Sequence, residues 1–339
     1  MNNAKHVFVI AEAGVNHNGS LARAKDLIVK AAEAGADGIK FQTYKADKLV
    51  TKSAPMFWNW KDETAKSQHE AYSGLDKFPD KNYPILIQTC KDNGIEFLST
   101  AFDKESAKML VKAGMKYFKV ASSCIVDIPY LKFIAQYQLP IILSTGASTL
   151  GDIEEAVEAI KGEGNNQITL LQCTLKYPTQ PKDANLLAIQ SLKRNFPDLE
   201  VGLSDHTMGI AIPIAAAALG ATMIEKHYTV DKTLLKSADH WLSVDPEELE
   251  QMVASIRQVE VALGTGVKRI LQCERETYIV DKSSIVSWKD IKKGDKITED
   301  MLICKRPGTG IRPKFLNIIV GRIATQDIPK DTVLTWDIL

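Results

Sequence analysis

Two histidines carry the first hint of chemistry: His206 in the run GLSDHT and His227 in IEKHYT, each at the polar C-terminal end of a short apolar segment. Imidazole is a common ligand for divalent metals, and a two-histidine site leaves coordination positions for water and substrate. Taken singly, either ring could simply end a strand and bond to backbone. Other strand-like segments, however, also end in Lys, Ser, Thr or Glu. Among them Lys40 and Lys119 stand out, because a lysine directed into a buried mouth costs several kcal/mol in desolvation unless an anion meets it. With Thr100, Ser122, Ser144 and Ser204 around them, they suit a small polyanion carrying phosphate or carboxylate. The alternative is structural pairing with Glu12, Glu225 or Asp205.

The elements that must position these residues follow a regular alternation. Strand candidates rich in Val, Ile, Leu and Phe fall at 6–13, 38–44, 95–101, 117–122, 140–145, 168–174, 201–205 and 223–229, and amphipathic stretches such as LARAKDLIVKAAEAG and PEELEQMVASIRQVEVALG separate or follow them. Gly35, Gly114 and Gly264 stand where helix C-caps belong, and Ser148 and Asp245 stand near helix starts. Eight strand-then-helix units predict a closed (β/α)8 TIM barrel, with the doubly wound open sheet as the alternative. In a barrel, chemistry gathers at the C-terminal strand ends, where Glu12, Lys40, Gln42, Thr100, Lys119, Ser122, Ser144, Thr174, Ser204, His206 and His227 all fall. Alternation puts Lys40 with Gln42, Ser204 with His206, and Glu225 with His227 on shared faces.

One connection breaks the rhythm. The stretch 45–78 is far longer than an ordinary βα loop and carries Phe57, Trp58, Trp60 and Tyr72, which could close over a substrate, stack on a sugar face or pack the loop on the rim. Beyond the barrel at 1–264, a polar stretch at 265–283 reads as a linker to a small β-rich domain at 284–339. That domain contains a repeat: DIKKGDKITEDML from Asp290 aligns with DIPKDTVLTWDIL from Asp327. Between the halves lies a basic, kinked loop, KRPGTGIRPKF.

Composition excludes several classes. A chain of 339 residues, 45 % hydrophobic and 25 % charged, has the make-up of a globular protein rather than a disordered one. Lys+Arg and Asp+Glu balance at 42 each, so no general field attracts nucleic acid or an anionic membrane. Five scattered cysteines without CxxC spacing argue against a disulfide framework, so a reducing cytoplasm is the expected setting. No segment approaches the length of a membrane span.

The runs IAEAGVNHNG, ADGIKFQTY, FLSTAFD, YFKVASS, IILSTGASTLGDIEEAV, VGLSDHTMGI and IEKHYTVD, followed by KRPGTG and the terminal repeat, resemble the N-acetylneuraminate (sialic acid) synthase family over essentially the whole chain. The resemblance implies a barrel joined to an antifreeze-like domain in a domain-swapped homodimer, condensing phosphoenolpyruvate with an N-acylated hexosamine to a nine-carbon 2-keto sugar acid and phosphate. It further implies that His206 and His227 bind Mn2+ or Mg2+. Lys40, Thr100, Lys119, Ser122, Ser144 and Ser204 would hold phosphoenolpyruvate, with Glu12, Gln42, Tyr177 and Asp239 on the sugar. Arg306 would reach the N-acyl end from the partner subunit. Two departures from the family pattern are Cys124, where an acid is usual, and Leu175, where Asn is frequent. They leave Asp127 or Glu12 as alternatives for the acid/base role assigned to Cys124. Relatives use N-acetylmannosamine, a diacetamido-trideoxymannose or the corresponding altrose; EAGVNHNG is more similar to the sialic and legionaminic branches, GIRPKF to the pseudaminic one. The competing functions are a barrel condensing phosphoenolpyruvate with another aldose, such as a phosphorylated one, and a catalytically silent carbohydrate-binding dimer.

Overall fold

The computed structural model describes residues 6–56, 58, 64–234 and 239–339, and the chain divides into two compact units, Met1–Thr265 and Gly266–Leu339. In the first unit eight parallel strands close in sequence order: β1 (Phe8–Gly14), β2 (Gly38–Thr43), β3 (Glu96–Ala101), β4 (Phe118–Val120), β5 (Ile141–Ser144), β6 (Ile168–Cys173), β7 (Glu200–Asp205) and β8 (Met223–His227). β1 pairs with β8 from Phe8↔Met223 to Glu12↔His227. This closure rules out the open sheet.

Each strand is buried on both faces, which is why it reads as an apolar run. One parity points inward: Ile10, Leu98, Ile142 and Leu171, with Phe8, Tyr117 and Met223 against them, plug the lower barrel. The other parity, including Val9, Ile39, Phe41, Leu143, Val201, Leu203 and Ile224, packs under the helices. The plug depends on a missing side chain at Gly202, where a Cβ would lie 2.3 Å from the Met223 carbonyl oxygen and 2.7 Å from Leu171 Cδ2. Above this floor the inward positions turn polar, so the fold itself delivers the candidate residues to one end.

The helices are α1 (Leu21–Glu33) after β1; α2 (Ala46–Leu49), α3 (Gln68–Leu75) and α4 (Tyr83–Asp92) after β2; and α5 (Lys104–Ala113), α6 (Ile128–Ala135), α7 (Leu150–Lys161), α8 (Ala188–Asn195), α9 (Ala211–Ala218) and α10 (Pro246–Ala262) after β3 to β8 in turn. Capping boxes start α7 (Thr149 with Asp152) and α10 (Asp245 with Glu248). Gly114 ends α5 at φ 105°, a left-handed conformation that favours glycine. The long connection after β2 is partly helical, and Tyr72 on α3 meets Tyr44 at 5.4 Å and Trp58 at 5.6 Å between ring centroids. Phe57 and Trp60 lie outside the described residues. No helix among the described residues is long and apolar enough to cross a membrane.

In the second unit β9 (Ser284–Ser287) pairs antiparallel with β10 (Leu302–Lys305) over a core of Ile285, Ile291, Ile297, Ile311, Ile319, Ala324, Ile328 and Leu334. The repeat is visible in the bonding. Ile291 and Ile328 exchange backbone hydrogen bonds of 2.9 and 2.8 Å. The Asp327 carboxylate accepts from Lys293 N at 2.8 Å while the Asp290 carboxylate accepts from Lys330 N at 2.7 Å, so matched aspartates cap matched turns across the pseudo-symmetry. The stretch 265–283, expected as a linker, makes specific bonds to the rest of this unit. From Gly266 it belongs to this unit and forms α11 (Arg275–Val280), because Gly308 N donates to the Ile279 carbonyl at 2.8 Å and Arg312 donates to the Tyr278 hydroxyl at 2.8 Å. The last short helix is α12 (Leu316–Ile319).

Candidate active site

A cavity of about 450 Å³ opens at the C-terminal end of the barrel, lined by Glu12, Lys40, Gln42, Thr100, Lys119, Ser122, Cys124, Ser144, Tyr177, Ser204, His206 and His227. These residues come from all eight strands or the loops that follow them; all but Cys124 and Tyr177 were expected at the mouth from the strand ends, and those two from the family resemblance. Thr174 is the exception in detail: its hydroxyl turns away to the Asp183 carbonyl at 2.9 Å. Cys173, in parity with Leu171, lines the cavity instead.

Four buried ionisable side chains form the polar base of the cavity. Lys40 Nζ lies 2.6 Å from Glu12 Oε2 and 3.8 Å from Glu225 Oε2, and donates to Thr100 Oγ1 at 3.1 Å. Lys119 Nζ donates to Ser144 Oγ at 2.8 Å and lies 3.5 Å from Glu225 Oε1, which also accepts from Ser204 Oγ at 2.9 Å. The structural pairing considered from sequence therefore exists, with Glu12 and Glu225 as partners. Asp205 is not one; it faces the helices and pairs with Lys226.

The environment separates the titrations of these groups. Burial works against the ammonium of Lys40, yet Glu12 and Glu225 together hold its pKa above the ordinary lysine value. Lys119 is lowered, because burial and the nearby Lys40 outweigh Glu225. Burial opposes ionisation of Glu225, but Lys119, Lys40 and the Ser204 hydroxyl keep it below the usual carboxylate range. Glu12 is pushed up by burial, against the pull of Lys40, and by the neighbouring Glu225. Of the two carboxyl groups, Glu12 is the one tuned to carry a proton.

The two imidazoles stand 5.3 Å apart between centroids. His206 Nδ1 bonds to the Thr174 carbonyl at 2.8 Å, which fixes it as the protonated nitrogen and leaves the lone pair on Nε2. Burial disfavours its charge, but the Cys173 sulfur at 3.9 Å raises its pKa. His227 is held neutral, its pKa driven well down by burial, by His206 and by Lys40. Its Nδ1 is buried without a hydrogen-bond partner and lies 3.7 Å from the Asp239 carboxylate. An orphaned buried nitrogen beside a second oriented imidazole fits a divalent cation. Among the described residues no cluster of three or more His, Cys, Asp and Glu side chains is arranged for a metal, so water and substrate would have to complete the coordination.

The expected sugar side draws Glu12 and Gln42 from β1 and β2, and Tyr177 and Asp239 from the loops after β6 and β8. Gln42 Nε2 donates to Glu12 Oε1 at 3.0 Å, and the Tyr177 ring packs 4.1 Å from that of His206. Gly14, at φ 49° where glycine is favoured, lies beside both carboxyl groups: a Cβ there would sit 3.4 Å from Glu12 Oε1 and 3.7 Å from Asp239 Oδ2. Burial and Glu12 push Asp239 up to about 6. Cys124 is held as a thiol, its pKa raised by burial. Asp127, the alternative acid, lines the cavity too but caps α6 by accepting from Tyr130 N at 3.1 Å. Arg306 lies in the second unit, largely exposed, and pairs with Asp281 at 2.5 Å.

Two groups were missed as site residues. Glu225 was legible from its parity with His227 but was read only as an ion-pair partner. Cys173 lies one residue before the threonine chosen from sequence, and counting alternate positions from Leu171 would have found it.

Residues 27–268 match the NeuB family and residues 282–339 match the SAF domain. The chain is 43 % identical over 334 residues to an N,N'-diacetyllegionaminic acid synthase of Campylobacter jejuni, with 97 % of this chain and 99 % of that protein covered. It is 37 % identical to a pseudaminic acid synthase of the same species, covering 96 % and 95 %. Among solved structures, the N-acetylneuraminic acid synthetase of Leptospira borgpetersenii in complex with citrate superposes with a TM-score of 0.73 at 35 % identity, covering 81 % of this chain and 90 % of that one. On this match over most of its length, and on the barrel that carries it, the chain belongs to the NeuB family and ends in a SAF domain.

Proposed function

We propose that this protein condenses phosphoenolpyruvate with the open-chain form of an N-acylated hexosamine, yielding a nine-carbon 2-keto sugar acid and inorganic phosphate. The observation that carries this reading is the meeting, in one cavity, of two buried lysines, two imidazoles and a carboxyl group held above its usual range. C3 of phosphoenolpyruvate bonds to the aldehyde carbon, and the aldehyde oxygen gains a proton. Water adds to C2 and gives up both its protons, one balancing that gained by the sugar oxygen and one leaving with phosphate as the C2–O bond breaks and the ketone forms. Lys119 and Lys40, with Ser122, Ser144, Ser204 and Thr100, bind the carboxylate and phosphate. Glu12, steadied by Gln42, holds and returns the proton at the sugar oxygen. Mn2+ or Mg2+ held by His206 and His227 supplies Lewis-acid polarisation of the aldehyde when bound. Fixed cations suit a reaction in which negative charge grows on the sugar oxygen.

Lys119→Ala tests the anion assignment. Because Lys119 is 3 % exposed, removing it should weaken phosphoenolpyruvate use by about 2 kcal/mol or more, the scale for losing one partner of a desolvated charge pair. An unchanged KM and kcat for phosphoenolpyruvate would return the lysine to a structural role.

The acceptor is assigned to the 2,4-diacetamido-2,4,6-trideoxymannose class. Beside Lys48, Gln68, Ser123 and Asp127, the cavity wall after β2, β3 and β4 carries an apolar stretch of Leu49, Val50, Phe102, Ala121 and the neutral thiol of Cys124, which offers a methyl end a place to pack. The higher identity to a legionaminic than to a pseudaminic acid synthase supports the same choice. Mass spectrometry of products from N-acetylmannosamine, the trideoxymannose and its altrose counterpart should show the trideoxymannose used with a kcat/KM at least about 10-fold higher, the discrimination an apolar pocket supplies. Preference for either other sugar would overturn the acceptor. Absence of sugar-dependent phosphate release would favour the silent carbohydrate-binding reading.

The proposed active form is a homodimer in which the KRPGTG loop of each SAF domain serves the partner's barrel. Five free cysteines suit a reducing cytoplasm.

A further inference from the structure

Behind the wall of the cavity, on the helix side of β7 and β8, lies a buried polar network that the chemistry does not touch. Lys226, 1 % exposed, is among the largest fully buried side chains. Its Nζ donates to Asp205 Oδ2 at 2.7 Å and to the Thr207 carbonyl. Asp205 in turn accepts from Thr207 N at 3.1 Å and Thr207 Oγ1 at 2.8 Å. Asp205 and Lys226 are register partners, and each immediately precedes one of the two imidazoles. The residue before and the residue after His206 are thus tied to the residue before His227. The network continues outward, since Thr179 N donates to the His206 carbonyl at 2.9 Å and the loop carrying Thr179 packs Tyr177 on the His206 ring.

A buried ion pair is seldom more stabilising than well-packed apolar side chains of similar volume, so stability alone is a weak account of it. Its position offers a better one. We infer that Asp205 and Lys226 are positioning residues that fix the separation and orientation of His206 and His227 for a divalent cation. The inference rests on the metal reading above and assigns the residues behind it.

The test measures Mn2+ binding directly, by electron paramagnetic resonance titration of the full chain, alongside thermal melting. Asp205→Leu combined with Lys226→Met replaces the pair by apolar bulk, and Asp205→Asn keeps its shape while weakening the lysine contact. Both variants are expected to lose about 10- to 100-fold in Mn2+ affinity, the usual effect of removing groups that orient metal ligands. The loss should appear even where the melting temperature stays near that of the parent chain. Wild-type affinity in a folded double variant, or in Asp205→Asn if the double variant does not fold, would overturn the proposal while His227→Ala still loses Mn2+. Wild-type Mn2+ binding by His227→Ala would instead overturn the metal reading and this inference with it.

Discussion

His227→Ala is expected to lower kcat by about 10²- to 10³-fold or more, the scale for removing a principal electrostatic contributor to a transition state, while the barrel stays folded. The asymmetry follows from the geometry. His227 Nδ1 has no hydrogen-bond partner, so deleting the ring strands no donor or acceptor in the protein. The strand that carries it is fixed by backbone pairing with β1 and β7 rather than by the imidazole. His206→Ala should be as damaging to turnover and somewhat more so to stability, because it also frees the Thr174 carbonyl and unseats Tyr177. Steady-state phosphate release, measured beside thermal melts, checks both. Exhaustive chelation should reproduce the loss in the wild-type chain and added Mn2+ should reverse it; full activity after chelation would remove the metal from the reaction.

The second large effect concerns assembly. Arg306→Ala should damage use of the N-acylated sugar far more than binding of phosphoenolpyruvate, because the arginine is proposed to meet only the acyl end. If each SAF loop serves the partner's barrel, a mixture of Arg306→Ala and His206→Ala chains forms hybrid dimers with one repaired site. That site joins intact imidazoles on one chain to an arginine donated by the other. Random pairing makes about half of the dimers hybrid, so recovery should approach one quarter of the wild-type activity. No recovery, with hybrids demonstrated by mass spectrometry, would place the loop on its own barrel or on none.

Most of the barrel was legible because its strands are buried on both faces, and runs such as FVIAEAG and ITLLQC announce themselves. β4 was overrun by two residues. After Val120 the chain turns into a single 3-10 turn at Ser122–Cys124, and the Ser122 hydroxyl accepts from Gly146 N at 2.9 Å. Alternation located Lys40, Lys119 and both imidazoles, since parity along a strand is a local property. It did not decide what the lysines meet, because that depends on Glu12 and Glu225 arriving from β1 and β8. Lys226 was illegible for a related reason. A charged residue between Glu225 and His227 resembles one more mouth residue until the sheet closes and shows which side it faces. The bonds of α11 were illegible for a different reason: it is held through Ile279 and Tyr278 by partners far along the sequence, which local polarity cannot reveal.

Both units are closed by joining an early segment to a late one. The barrel is completed when β8 reaches β1, and in the SAF domain β9 is bordered by β10 and, on its other edge, by Thr332 to Leu334 through the bonds from Ser287 N to Thr332 O and between Ile285 and Leu334. During synthesis on the ribosome neither unit can therefore finish folding until its last segment has emerged, and each passes through a stage in which a strand edge waits unpaired. The barrel's wait ends while the SAF domain is still being made. The SAF domain's own wait lasts until Thr332 to Leu334 have emerged, and a chain lacking those residues would leave the edge of β9 open to other chains.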